Sequence, residues 1–367
     1  MSETQVNRSE ASTTPPRVSP TAGLRVAVIG VGARSNIAYH VATVRPGSTI
    51  VAAADIHEEG RERARAKFGD IAIYNDTTEL IAAGGFDAAI VTSPDDSHAE
   101  IAVQLLRAGI PSYVEKPLAI TLADADAVLA AAAETNTPLY IGHNMRHSAF
   151  VKVMRDIIER GEIGEVKAIW VRHFVGNGGD YYFKDWHADR SKTGTLLLQK
   201  ASHDIDIIHY LAKAYSRRVV GMGDLMIYGD ITDRRERKGE TMPDWFSYDN
   251  WPPRSVTGLN PVVDVEDVSM MMMTLDNGVM ASYEQCHFTP DYWRNYTVIG
   301  TEGRLENFGD TNNAVIRVWN RRHEWQLEGD AEYVVKGVDS GHTDADLETM
   351  KEFFDHVVDG APTVVSP

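Results

Sequence analysis

Lys116 stands between Glu115 and Pro117, directly after the apolar run Ser112–Val114. That is a poor place for an ordinary surface ion pair. A lysine whose ammonium is partly desolvated loses its proton nearer neutral pH, and such an amine can take the proton of a hydroxyl group. Further along, Gln199, Lys200, His203, Asp206 and Tyr210 recur at spacings of three and four, which on a helix puts them roughly on one face. His203 on that face can orient a substrate hydroxyl, and Lys200 can supply a second cationic donor. Capping and bracing of the helix by His203 and Asp206 would give the same spacing. Together these residue types suit proton removal from an alcohol.

Gly30-Val31-Gly32-Ala33-Arg34-Ser35 follows the β-branched run LRVAVI and opens a segment with apolar residues at helical spacing. A strand, glycine turn and helix in that order let the pyrophosphate of a dinucleotide rest on helix N-terminal amides. Glycines also occur in other strand-to-helix turns, and Ser35 stands where the usual third glycine would be. Asp55 ends the next strand-like run, 25 residues after Gly30. An acidic residue there accepts hydrogen bonds from ribose hydroxyls and repels a 2′-phosphate, so the pair points to NAD over NADP. Arg34 is the competing feature, since it could reach a 2′-phosphate or the pyrophosphate.

Tyr181, Tyr182, Phe183, Trp186 and His187 form an aromatic run before the His203 segment. Ring faces with polar tips suit sugar binding, and they suit plain packing equally well. His143 and His147 lack a nearby acidic third ligand, so no metal is expected. The basic run Arg234, Arg235, Arg237 and Lys238 alternates with Asp233 and Glu236 and reads as a solvated loop.

The elements that must position these residues are strands alternating with helices from Leu24 to Asn144, which predicts a doubly wound parallel sheet over residues 23–145. Residues 146–367 read as a second, strand-richer α+β domain. It has a helix at AFVKVMRDIIERG, another over GTLLLQKASHDIDIIHYLAKA, and hairpins turning at Asp276-Asn277-Gly278 and Thr301-Glu302-Gly303. The last helix, HTDADLETMKEFFDHVVDG, could pack back on the first domain. Residues 1–22 mix Ser, Thr, Pro and Gln without periodicity and read as a disordered leader without a secretory signal.

The 367 residues carry 53 acidic against 36 basic side chains, a formal charge of −17 that repels phosphate backbones and anionic membranes. No apolar run approaches the roughly 20 residues of a membrane-spanning helix. A single cysteine, Cys286, excludes an intrachain disulfide, so a reducing, cytoplasmic setting is expected. Val268–Leu275 and Val279–Gln285 carry more apolar and methionine surface than a small sheet can bury on both faces, which predicts self-association.

The glycine turn, TSPDDSHAEIA, YVEKP, the Asn144-x-Arg146 segment and SHDID together resemble the Gfo/Idh/MocA family of NAD(P)-dependent oxidoreductases, from about Leu24 to the C-terminus. The resemblance implies a Rossmann domain followed by an α+β domain with a large, open, mostly antiparallel sheet. That sheet would pair subunits into a homodimer or homotetramer. It also implies an NAD-dependent dehydrogenase acting on a carbohydrate or polyol hydroxyl, with Lys116 and His203 as the reacting pair. The implied cofactor contacts are Gly30, Gly32, Ala33, Arg34, Ser35, Asp55, Ile56, Ser93, Pro94, His98, Glu115, Lys116 and Asn144. The substrate side would comprise Arg146, Tyr181, Trp186, His187, Gln199, Lys200 and His203. Many relatives carry aspartate where this chain has Gln199, and glutamine cannot stabilise an imidazolium by charge. Two other readings are open: a glycoside hydrolase that oxidises its sugar transiently and returns the hydride, and a non-catalytic NAD-binding sensor.

Overall fold

The computed structural model describes residues 23–337 and 343–365; the predicted leader lies outside them. Six short strands, β1 (Arg25–Ile29), β2 (Thr49–Ala54), β3 (Ala72–Tyr74), β4 (Ala88–Val91), β5 (Ser112–Val114) and β6 (Leu139–Ile141), form the first sheet. Their order is β3-β2-β1-β4-β5-β6, and all neighbours are parallel. Such a sheet is covered on both faces, which is why its strands are almost continuously apolar. Val28, Ile90 and Tyr113 point to one core, and Ile29, Val91 and Val114 to the other. The order reverses between β1 and β4, so a crevice opens beyond their carboxyl ends, and Gly30 and Ser93 lie there.

One face of this sheet is closed from the far end of the chain. Met350, Phe353, Phe354 and Val358 of the helix Thr343–Asp359 share a core with Val26 and Val28. Phe353 stands edge-on to Tyr113 and Tyr140, with ring centroids 5.9 and 6.1 Å away.

The segment after Gly32 departs from the expected α-helix. Ala33–His40 is a 3-10 helix, and only Val41–Val44 is α-helical. The Gly32 carbonyl is taken by Ser35 Oγ at 2.6 Å and Lys67 Nζ at 3.0 Å. Side chains that occupy a first-turn carbonyl compete with the i→i+4 ladder and tighten the turn.

The second sheet contains β7 (Val166–Phe174), β8 (Ser216–Asp224), β9 (Val268–Leu275), β10 (Met280–Cys286), β11 (Trp293–Gly300), β12 (Arg304–Phe308), β13 (Val315–Trp319) and β14 (Ala331–Val334). Its order is β14-β13-β12-β11-β7-β10-β9-β8, with β7 and β10 the parallel pair. Both expected hairpins form, β9 with β10 and β11 with β12. The inner face packs Ile169, Val171, Met273 and Tyr283 against the helices Ala149–Glu159 and Leu196–Ala212.

Residues 225–267 form a loop layer that its polar sequence conceals. Tyr228, Ile231, Val256 and Leu259 share a small core with Tyr182 and Phe183. The Asp267 carboxylate accepts the amides of Met226, Ile227 and Tyr228 at 2.8, 2.8 and 3.0 Å. Arg237 is not solvated as the charge run suggests: its guanidinium is turned inward onto the Lys184 and Gly258 carbonyls and lies over the Trp245 ring. Carbonyls left over by an irregular loop need donors, and Arg237 supplies two.

Candidate active site

The crevice edge is shaped by glycine and carboxylate. Gly30 has φ +80°, and a Cβ there would lie 2.4 Å from the Ser93 backbone. A Cβ on Gly32 would meet nothing within 4 Å, so the turn faces open space into which a phosphate can approach. Asp55 accepts the Val31 amide at 2.8 Å and the His57 amide at 2.9 Å, which holds its carboxylate at the end of β2 beside the turn. A Cβ on Gly60 would fall within 2.5 Å of that carboxylate, so glycine makes its room. Arg63 donates to the Val31 carbonyl and Lys67 bonds Ser35 and Asn36, so two cations flank the turn. These residues fit a dinucleotide: open space at Gly32 for a phosphate, a carboxylate at the end of β2 for ribose, cations beside the turn. Ile56 is largely exposed next to Asp55.

The loops after β4 and β5 are tied together by His98, whose ring nitrogens lie 2.7 Å from the Pro117 carbonyl and 2.8 Å from the Ser93 carbonyl. His98 is thus a buried brace beneath the crevice. Ser93 Oγ accepts from Ser97, and Pro94 opens the following turn. Glu115 accepts Tyr113 Oη at 3.0 Å and Arg34 Nε at 2.5 Å. Arg34 also forks onto Asp346 at 2.5 and 2.7 Å, and Asn144 donates to Asp346 at 2.7 Å. Arg34 therefore spans to the last helix and is committed to the carboxylates of Glu115 and Asp346.

Lys116 Nζ donates to the Gln199 carbonyl at 2.7 Å, joining the edge of the first sheet to the helix Leu196–Ala212. Burial disfavours its ammonium and lowers its pKa, against the attraction of Asp95. His203 lies one helical turn beyond Gln199 and is buried. Burial and then the charge of Lys116 hold its imidazole well below the ordinary histidine range, so it is neutral. Among the described residues its Nδ1 has no partner, nor does Gln199 Oε1. Lys200 is pushed down to about 7 by burial, with Arg294 adding to the shift, and its Nζ sits 5.6 Å from the Tyr182 ring centroid.

Residues that the sequence named without a catalytic role, together with Asp95, also stand here. His143 meets His203 ring to ring at 6.3 Å, and its buried Nδ1 has no partner among the described residues. His147 turns instead to Glu352, 2.7 Å away, so the two histidines diverge. Asp95 is buried, accepts from Thr193 Oγ1 at 3.1 Å, and has its carboxyl pushed upward by burial. Of the tyrosine pair it is Tyr182 that is buried against Lys200, whereas Tyr181 is 40% exposed and packs on Phe246. Trp186 stacks on His187 at 3.7 Å, and His187 Nδ1 is 2.6 Å from Asp185 and its ring 5.3 Å from Tyr182. Arg146 is committed to Asp206 by a fork at 2.8 and 2.6 Å and does not present a free guanidinium. A separate surface cavity lined by Asn177, Asp180, Tyr228, Asn250 and Trp251 belongs to the loop layer.

Comparisons with known proteins agree with this two-domain fold. Residues 24–143 match the model described as oxidoreductase family, NAD-binding Rossmann fold, and residues 151–306 match that of the GFO/IDH/MocA C-terminal domain. Myo-inositol 2-dehydrogenase of Thermotoga maritima is 26% identical over 210 residues, 57% of this chain and 60% of that protein. Inositol 2-dehydrogenase of Salmonella paratyphi B is 28% identical over 191 residues, 51% of this chain and 54% of its own. The matched stretch thus spans little more than half the length of these curated relatives. The solved structure of a levoglucosan dehydrogenase, in complex with NADH and levoglucosan, aligns with a TM-score of 0.75 at 20% identity, covering 93% of this chain and 91% of that one.

Proposed function

The chain belongs to the Gfo/Idh/MocA oxidoreductase family, and from that premise we propose that it is an NAD-dependent dehydrogenase oxidising a secondary hydroxyl of a sugar, polyol or glycoside. The observation that carries this reading is Lys116, a desolvated amine at the crevice edge, hydrogen-bonded across to the helix that bears His203. The names of the inositol and levoglucosan dehydrogenases support the substrate class.

Bound NAD would accept hydride from the carbinol carbon, with Gly30, Gly32 and Asp55 as its holding residues. Lys116, as its neutral amine, takes the hydroxyl proton as the C–H bond breaks. The neutral His203 offers a ring nitrogen to the same hydroxyl and fixes its direction, without needing the charged partner that Gln199 cannot provide. Asp95, buried near Lys116, attracts the ammonium that results. Burial of the group excludes water that would otherwise level these differences.

Calorimetric titration with NAD, followed by NADH formation with a panel of sugars and polyols, tests the reading. Binding of NAD with substrate-dependent NADH accumulation is expected; no binding of either nucleotide form would end the proposal. Release of nitrophenol from a nitrophenyl glycoside without net NADH would replace it with redox-neutral hydrolysis.

A further inference from the structure

Resting on the dehydrogenase reading, we propose that the helix Thr343–Asp359 is part of the nucleotide site, and that Asp346 in its first turn is a positioning residue that fixes the glycine turn through Arg34. Three residues expected to contact the cofactor stand beyond the carboxyl ends of three strands: Arg34 after β1, Glu115 after β5 and Asn144 after β6. All three converge on one carboxylate. Arg34 forks onto Asp346 through both Nη atoms, Asn144 Nδ2 donates to the same side chain, and Glu115 is joined to it through Arg34 Nε. Asp346 comes from the other end of the chain, 312 residues after Arg34.

The junction is tightly built. Glu115, Asn144 and Asp346 are buried, while Arg34 keeps 32% of its side-chain surface open at the turn. A Cβ on Gly142 would lie 2.5 Å from Tyr113 Oη and 3.1 Å from the Glu115 carboxylate, so glycine lets these groups pack. Close-packed groups of this kind pass a displacement on instead of absorbing it.

The turn needs such a fixing. Ala33–His40 is a 3-10 helix, whose own backbone bonds are poorly aligned, and Gly32 at its N-cap offers no side chain to hold it. The segment is pinned from two sides. Lys67 holds the Gly32 carbonyl, Ser35 Oγ and Asn36 Oδ1 from the helix Glu58–Phe68, and Arg34 ties the turn to Glu115 and Asp346. Removing the Asp346 charge weakens the fork on Arg34 and the bond from Asn144, a loss that falls on the turn. The apolar contacts of Met350, Phe353 and Phe354 remain, so the helix stays docked. Coupling of this kind is reciprocal: NAD that orders the turn also holds the helix.

Calorimetric titration with NAD and hydrogen exchange over residues 343–359 test this. Asp346→Asn should weaken NAD binding by about tenfold or more, and Arg34→Gln at least as much. The double variant should bind no more weakly than Arg34→Gln alone, because both changes break one link. Saturating NAD should slow exchange over residues 343–359 in the wild type and not in Asp346→Asn. Val358→Ala loosens the same helix from its apolar side, so it should lower Tm and leave NAD affinity within about twofold of the wild type. Unchanged NAD affinity in Asp346→Asn, additive losses in the double variant, or an equal loss of affinity in Val358→Ala would each overturn the proposal. Should Asp346→Asn fail to fold, the wild type decides, since a helix that gains no protection from NAD overturns it. Failure of the wild type to bind NAD ends the dehydrogenase reading and this proposal together; NAD binding that ignores Asp346 ends this proposal alone.

Discussion

At the scale of single residues, the chemistry turns on two amines whose protons are held loosely. With Lys116 as base, kcat/KM rises with pH as its ammonium deprotonates and levels off below 10.5, the ordinary lysine value, because burial lowers the pKa. Lys116→Ala should retain NAD binding, lose most turnover and lose that limb; full activity in the variant would exclude Lys116 as the base. Asp55 governs the cofactor: replacing it with serine removes the carboxylate that a 2′-phosphate would meet, so the ratio of NAD to NADP affinity should fall by about tenfold or more. Equal wild-type affinity for the two would contradict the assignment. Lys116, His203 and the glycine turn were legible in the sequence because each is announced by its immediate neighbours. Tyr182 rather than Tyr181, along with His143, Asp95 and His287, was not. Which of two adjacent tyrosines faces inward depends on a short helix that packing imposes, and His287, just past the end of β10, meets Tyr182 only through the fold.

At the scale of elements, parallel strands and amphipathic helices announce themselves by period, and the first sheet and both hairpins were readable on that basis. The loop layer was not, since residues 225–267 are organised by side-chain-to-backbone bonds that leave no periodic trace. Asp267 is its anchor. Asp267→Ala strands three amides and should cost about 3 kcal/mol, lowering Tm by several degrees in calorimetry. Asp267→Asn, which keeps one acceptor oxygen, should lose less. Equal stability of all three proteins would mean that the layer is held by its apolar core alone. The tight helix after Gly32 was missed for a related reason: Lys67, from the next helix, helps to set its geometry.

At the scale of the whole molecule, the outer face of the second sheet is an apolar row. Val220, Met272, Ser282 and Trp170 are registered across four strands, and Met272 and Trp170 are 64% and 55% exposed. Patches of this kind are covered in stable proteins, and a second copy of the same sheet is a complementary cover. Light scattering should therefore give a mass above the 40.6 kDa of one chain, and Met272→Asp with Trp170→Asp should return it to that value. A wild type that scatters as 40.6 kDa at micromolar concentration would refute the pairing. The helix Thr343–Asp359 carries a different consequence, one of timing. Tyr140 waits for Glu352, and Arg34 waits for Asp346, across 212 and 312 residues of chain. During synthesis the nucleotide half thus emerges from the ribosome with one flank of its sheet uncovered. Until the last helix arrives, that half exposes the apolar face that Met350, Phe353, Phe354 and Val358 later cover, so it cannot close its core while it is being made.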